Sequence, residues 1–322
     1  MERGARIYLA GHTGLAGSAI LRALERAGHA NLLLRSHAEL ELTDAHAVRA
    51  FFEREQPEYV FIAAAKVGGI LANQNYPAEF IHQNLAIAAN LVHESWQVKA
   101  RRLLYLGSSC IYPRDCPQPM KEEHFLTGPL EPTNRAYAVA KIAGVESCWS
   151  YNRQYGTRFL AVMPTNLYGP GDHYDLETSH VLPALMRKIH EAKRRGERRV
   201  TLWGSGRPRR EFLYSDDLGD ACVFLMNLPD AGFASLVAPA TAPLVNIGAG
   251  SDQTIAELAK LVAEVVGYEG EFVYDASKPD GTPRKLLDAS RMTALGWKPE
   301  VNLRRGVARA YADFRRRFAA AA

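Results

Sequence analysis

The amino-acid sequence predicts an α/β protein in which a doubly wound parallel sheet is followed by a second, smaller α/β unit. Three observations carry this expectation. Short β-rich runs alternate with longer amphipathic patterns through the first half, a glycine-rich turn joins the first run to the first helix, and the alternation breaks after Pro164. Strands are expected at 5–10, 31–34, 59–63, 102–107 and 159–163, with helices at about 15–28, 44–56, 78–99 and 135–154 between them. That order reads as a parallel sheet covered by helices on both faces. Beyond the break, 164–175 has loop chemistry (Pro164, Gly169, Pro170, Gly171, Asp172), and a helix is expected over about 179–195. A strand at 199–203 leads into a Gly/Arg/Pro loop at 204–210. The stretch 229–243, rich in Ala and Pro, reads as a surface connection. The tail gives a strand near 244–248, helices near 254–267 and 302–318, and a loop over 277–283. The expected division is 1–168, with about 211–248 returning to it, against 169–210 and 249–322.

Bulk properties exclude several classes. With 322 residues, 47% of them apolar, the chain can bury one large core or two coupled ones. A net charge of +4 is too small to argue for nucleic-acid binding. The clusters Lys193-Arg194-Arg195 and Arg315-Arg316-Arg317 read as solvated helix ends. No apolar run approaches the roughly 20 residues of a membrane span. Met1 is followed almost at once by the strand-like run Arg6–Ala10, so no secretory leader is expected. Cys110, Cys116, Cys148 and Cys222 form no C-x-x-C pair, so neither a metal site nor a disulfide framework is expected. A cytoplasmic protein with reduced thiols is the expectation.

Gly11-His12-Thr13-Gly14-Leu15-Ala16-Gly17 follows the first strand and opens the first helix. Glycines there permit a tight turn, close approach of a pyrophosphate and close helix packing, while the helix N-terminus faces the anion. A glycine pattern alone is weak evidence, but its place at the first junction of a βαβ pattern points to a dinucleotide site and a Rossmann domain. An NAD site usually carries an acidic residue at the end of the second strand. Here the sequence reads Leu34-Arg35-Ser36-His37, with no carboxylate until Glu39. A guanidinium and a serine suit a 2′-phosphate, which favours NADP. The alternative is that Arg35 is a surface residue at a strand end.

Asn134–Lys141 opens a helix, which places Tyr137 and Lys141 one turn apart on one face. An ammonium beside a phenol favours phenolate, so the tyrosine pKa is expected to fall from about 10. Such a tyrosine can hand a proton to a ketone oxygen as hydride arrives, while the lysine holds the nicotinamide ribose. Tyr274 and Lys278 repeat the spacing, but Tyr274 follows a strand pattern and Lys278 precedes Pro279, which disfavours helix. Upstream, the strand at 102–107 ends in Gly107-Ser108-Ser109-Cys110. Ligands bind at such carboxyl ends, and Ser108 could hydrogen-bond the substrate oxygen beside the tyrosine.

A glycine loop, Ser, Tyr and Lys in this order resemble the short-chain dehydrogenase/reductase superfamily in its extended, sugar-nucleotide-modifying form. Longer segments narrow this: Ala63–Ile70, Leu106–Pro113, Met163–Pro170, Trp203–Gly206 with Arg210-Glu211-Phe212, and Lys278–Lys285. Together they resemble the GDP-L-fucose synthase family over nearly the whole chain. The resemblance implies a GDP-sugar substrate, epimerised at C3 and C5 and then reduced at the C4 ketone with NADPH. It implies Cys110 and His180 as the acid/base pair of epimerisation, and a thiolate at Cys110 would be favoured by a nearby cation. From the residues alone, a buried apolar cysteine and a satisfied helix-start histidine are the commoner fates. The resemblance further implies cofactor contacts from Leu106, Gly107, Pro164, Thr165, Asn166, Leu167 and His180, and substrate contacts from Lys188, Trp203, Arg210 and Asp280. Lys188 stands where arginine is frequent, which keeps the charge and loses the fork. Thr13 and His37 replace arginines that contact the 2′-phosphate in some relatives, so NAD stays open as a cofactor. A 4-epimerase or 4,6-dehydratase would share the glycine loop and the Tyr/Lys pair, but a dehydratase needs an Asp-Glu pair where this chain has Ser109-Cys110. A silent dinucleotide sensor typically lacks the tyrosine or lysine. A homodimer through the helices at 78–99 and 135–154 is expected by analogy with the fold.

Overall fold

The computed structural model describes residues 1–176, 178–278 and 280–319. The first half alternates β1 (Ile7–Ala10), α1 (Leu15–Arg26), β2 (Leu32–Leu33), α2 (Ala45–Glu55), β3 (Tyr59–Ile62), α3 (Ile70–Asn75), α4 (Pro77–Gln97), β4 (Arg102–Leu106), α5 (Arg135–Tyr155) and β5 (Phe159–Pro164). It continues through β6 (Asn166–Tyr168), α6 (Val181–Arg195), β7 (Arg199–Trp203), β8 (Arg209–Tyr214), α7 (Ser215–Asn227), α8 (Asp230–Leu236) and β9 (Leu244–Ile247). The chain closes with β10 (Asp252–Thr254), α9 (Ile255–Val266), β11 (Glu271–Asp275), β12 (Arg284–Lys285), α10 (Ser290–Ala294) and α11 (Leu303–Ala319).

A six-stranded parallel sheet runs β2-β1-β3-β4-β5-β9. Side chains alternate across a strand, so Ile7 and Leu9 pack with α1, α7 and α8 while Tyr8 and Ala10 pack with α2, α4 and α5. A second sheet centres on β8, which pairs with β6, β10 and β12, and β7 pairs with β11. A third core, with Leu185, Met186 and Ile189 of α6, Leu258 and Val262 of α9 and Phe314 of α11, packs around it. Glu211 joins the two parts. Fully buried in β8, it accepts from the Ala249 and Gly250 amides (2.6 and 2.8 Å) and from the Leu287 amide (3.0 Å).

Three expectations need correction. The 229–243 stretch is no plain surface connection, because α8 buries Phe233 completely. Arg102 holds that turn: its guanidinium lies 4.3 Å from the Phe233 ring centroid, donates to the Met226 and Leu228 carbonyls and pairs with Asp230. The 164–175 loop contains β6, and the 204–210 loop ends inside β8; both strands form by pairing with each other, a long-range gain that local composition hides. Pro279, within the expected 277–283 loop, lies outside the described residues. No helix among the described residues is long and apolar enough to cross a membrane.

Candidate active site

β1 ends at Gly11, whose φ of +82° suits glycine. A side chain at Gly11 would come within 2.6 Å of the Ala64 amide nitrogen, and one at Gly17 would run into the Gly11 carbonyl. The cradle is therefore shaped by missing side chains. Gly14 stands at the N-cap of α1 with no side chain to cover the helix start, Thr13 is exposed beside it, and Leu15 and Ala16 are half-buried. The buried Nδ1 of His12 has no partner among the described residues. Open amides at a helix start and an orphaned donor or acceptor beside them fit a dinucleotide pyrophosphate.

At the end of β2, Arg35 pairs with Glu55 (3.0 Å), donates to the Leu34 carbonyl (2.7 Å) and lies 5.4 Å from the Phe51 ring centroid. His37 pairs with Glu41 at 2.7 Å. Sequence reasoning gave Glu39 no role, yet its carboxylate accepts from both the amide and the hydroxyl of Ser36 at 2.7 Å. Those bonds, with Arg35 and His12 nearby, hold it below the usual carboxylate range. Leu106 and Gly107 stand at the end of β4, and Pro164 to Leu167 at the β5–β6 junction. There Thr165 and Asn166 donate to the Glu211 carbonyl at 3.2 and 2.8 Å.

Ser108, Cys110, Tyr137 and Lys141 come together where β4 meets the start of α5. Lys141 is buried and donates to the Leu106 carbonyl at 2.7 Å, with its Nζ 5.7 Å from the Tyr137 ring centroid. Burial brings its pKa down to about 8. The expected fall of the Tyr137 pKa does not occur. Burial pushes the phenol well above its ordinary value, and the pull of the Ser108 hydroxyl is the smaller effect. Low dielectric penalises the charged form of both groups, which outweighs the attraction the spacing suggested.

Cys110 sits in a short 3₁₀ turn (Ser109–Ile111) that Ser108 caps by accepting from the Cys110 amide at 3.4 Å. A cation does face it, as expected, but burial dominates and raises the thiol; Ser108, Lys285 and then Lys141 pull it back. Lys285 was not among the residues singled out for the site. His180 stands at the N-cap position of α6, with no side-chain capping bond. Dense surroundings push its imidazolium down, with His173 adding to this, although the residue keeps solvent access. The segment before it is docked: the Gly69 amide donates to the Thr178 carbonyl at 3.0 Å, and a side chain at Gly69 would meet the Ser179 carbonyl. His180 forms no hydrogen bond or ion pair with the β4–α5 cluster among the described residues.

Farther out, Trp203 at the end of β7 is 47% exposed, with the ammonium groups of Lys188 and Lys278 at 4.9 and 5.5 Å from its ring centroid. Burial pushes Lys188 down. Arg210 in β8 is also pushed down by burial, opposed by Asp280 and Glu131. Asp280 is engaged within the protein: the Ser205 amide and hydroxyl donate to it at 2.6 and 2.7 Å, tying the loop after β7 to the one before β12. Among the described residues no His/Cys/Asp/Glu group could hold a metal ion.

The sequence pattern of the NAD dependent epimerase/dehydratase family matches residues 7–243. The chain is 53% identical over 310 residues to GDP-L-fucose synthase 1 of Arabidopsis thaliana, covering 96% of this chain and 93% of that protein. It is 52% identical to GDP-L-fucose synthase of Escherichia coli (strain K12), covering 96% of each. The chain belongs to the GDP-L-fucose synthase family. The solved GDP-mannoheptose C4 reductase of Campylobacter jejuni with NADP bound matches at a TM-score of 0.89 and 38% identity, over 98% of this chain and 99% of that one.

Proposed function

We propose that the chain converts GDP-4-keto-6-deoxy-D-mannose to GDP-L-fucose in two stages, epimerisation at C3 and C5 and then reduction at C4 with NADPH. The observation that carries this is the placement of Cys110 against Ser108, Tyr137 and Lys141, which sets a proton-transfer group beside a ketone-reducing one. Protons at C3 and C5 are acidified by the C4 ketone. The Cys110 thiolate takes one, the electron pair moves onto the ketone oxygen, and the Ser108 and Tyr137 hydroxyls hold that oxygen. His180, reaching in from α6, returns a proton to the opposite face and inverts the carbon.

The dinucleotide supplies the hydride for C4. Tyr137, neutral because it is buried, then has a proton to give to the C4 oxygen, and Lys141 stabilises the phenolate left behind. Residues 11–17, Arg35, Leu106, Gly107, Lys141 and 164–167 would hold the cofactor. Arg35 and Ser36 support NADPH, and the bound NADP of the Campylobacter jejuni relative supports it too. Arg210 would fork onto the GDP diphosphate, Trp203 would stack on guanine, and Lys188 would add charge. The parts built on β6, β8, β10 and β12 and on β7 and β11 form the sugar-nucleotide half in this reading. α4 and α5 leave Val139 and Tyr155 exposed, with Trp96 stacked on Tyr155 at 4.3 Å, which suits a second copy of the chain; a monomer in light scattering would overturn the dimer.

The test is to incubate the protein with GDP-4-keto-6-deoxy-mannose in deuterated buffer, with NADPH or NADH. GDP-L-fucose carrying deuterium at C3 and C5 is expected, faster with NADPH. A product without deuterium, or no NADPH oxidation, would defeat the reading. Cys110→Ser should block deuterium uptake.

A further inference from the structure

His180 is assigned a step on the sugar, yet its own side chain is not what holds it in place. Among the described residues its imidazole has no hydrogen bond or ion pair, and it gives α6 no side-chain cap. Its place relative to Tyr137 is therefore set by the backbone on either side of it. On one side is α6, where the Ala184 amide donates to the His180 carbonyl at 3.1 Å. On the other side are Thr178 and Ser179, which reach across to the six-stranded half.

That second anchorage is a bare backbone contact. The Gly69 amide donates to the Thr178 carbonyl at 3.0 Å. A β-carbon at Gly69 would stand 3.0 Å from the Ser179 carbonyl oxygen and 3.3 Å from that of Thr178. Both sides of the contact are braced. The Thr178 amide and hydroxyl donate to Asp175 at 2.9 and 2.8 Å, and the hydroxyl lies 2.8 Å from Nε2 of His173. Across from it, the buried side chain of Asn73 donates to the Gly68 and Gly69 carbonyls at 2.9 and 3.0 Å. A β-carbon at Gly68 would fall 3.2 Å from the Phe80 ring, and Phe80 meets Tyr137 edge to face with 6.2 Å between centroids. A line of close packing thus runs from Tyr137 through Phe80 and the Gly68-Gly69 turn to the chain entering His180.

The backbone does not require glycine at position 69. Its φ of −66° and ψ of −177° are open to other residues, and its place before α3 suits a serine or aspartate that would cap the helix. What excludes a side chain is the approach of the other half. We propose that Gly69 is a positioning residue that sets how deep His180 stands over the sugar, by letting the chain before α6 close onto bare backbone. Tyr137 and His180 are then held at one separation, as inversion and reduction of a single bound sugar require. This rests on the reading of His180 as the acid of epimerisation.

The test compares the two stages in Gly69→Ala and Gly69→Val. Alanine and valine are similarly poor at a helix start, so the difference between them reads bulk in the contact. Epimerisation is followed by NMR with NADP in place of NADPH, as conversion of GDP-4-keto-6-deoxy-mannose to isomers inverted at C3 and C5. The reducing centre is followed by itself, as oxidation of GDP-L-fucose by NADP. Epimerisation should fall about threefold in Gly69→Ala and about 10- to 10²-fold in Gly69→Val, the cost of moving a reacting group by about 1 Å, while oxidation stays within about twofold. Asn73→Ala loosens the turn and adds nothing to the contact. It should also slow epimerisation more than oxidation, and it carries the test if Gly69→Val does not fold. Epimerisation at the wild-type rate in these variants would overturn the proposal. So would an equal fall in both stages, which marks a structural role. Failure of the underlying reading shows elsewhere, as His180→Gln that inverts C3 and C5 at the wild-type rate.

Discussion

The half built on the six-stranded sheet and the half built on β8 make their sites in different ways. In the first, the candidate groups come from single local segments: the turn after β1, the turn after β4 and the first turns of α5. The cradle is one turn, and Tyr137 and Lys141 share one helix. In the second, β8 takes its partners from remote segments: Asn166 opposes Phe212, Asp252 opposes Glu211, and Arg284 opposes Arg209. Arg210 and Lys285 oppose each other only because those pairings form. In the proposed reading, local order thus sets out the reducing groups, whereas the groups assigned to the sugar nucleotide depend on long-range pairing.

The comparison is broken most severely at Tyr137. Tyr137→Phe should cut NADPH oxidation by about 10²- to 10⁴-fold while deuterium uptake slows less, because Ser108 still holds the ketone oxygen; an equal loss of both would show that the two stages do not separate. Glu211→Ala tests the seam. It leaves three buried amide donors without an acceptor, so about 3 kcal/mol of stability should disappear, measured by urea unfolding, with GDP-sugar affinity falling as β12 loosens. Trp203→Ala should raise KM for the GDP-sugar roughly tenfold with kcat little changed. A smaller effect is in pH. With Lys141 near 8, the ammonium is present below that value and lost above it, so ketone reduction should decline by up to about tenfold per unit as pH rises past 8. Exchange at C3 and C5 should not follow the same curve.

The same contrast explains what could be read from the sequence. The glycine loop and the Tyr137/Lys141 spacing are local patterns, and the structure places the first at the end of β1 and the second in the first turns of α5. β10 and β12 are short and polar, and β8 opens on Arg209-Arg210-Glu211 before its apolar Phe212-Leu213-Tyr214, so no clear alternation marks them. Lys285 was missed for that reason, although it lay inside the Lys278–Lys285 segment singled out by resemblance. The pKa of Tyr137 was expected to move the wrong way because a sequence shows the charge four residues on and not the burial around both groups. α8 was hidden because Phe233 is held by Arg102, whose partner segment lies over a hundred residues away in the chain.

The smallest effect belongs to the far end of the cradle, where Arg35 and Ser36 are the groups that suit a 2′-phosphate. Both are already engaged, Arg35 by Glu55 and Ser36 by Glu39. A 2′-phosphate carries about −1.5 to −2 charge, so Glu39 opposes it twice, by charge and by occupying the Ser36 donors. A 2′-hydroxyl meets neither objection and could donate to the same carboxylate. Glu39 is exposed, so solvent and salt screen the repulsion. Glu39→Ala should therefore raise the ratio of kcat/KM for NADPH over NADH by only about threefold, and less in high salt. Glu39→Gln should give a smaller rise, because it removes the charge and keeps an acceptor for Ser36. A fall in the ratio would mean that Glu39 shapes the Ser36 turn for the phosphate, making the adenosine end as dependent on a formed contact as the β8 half is.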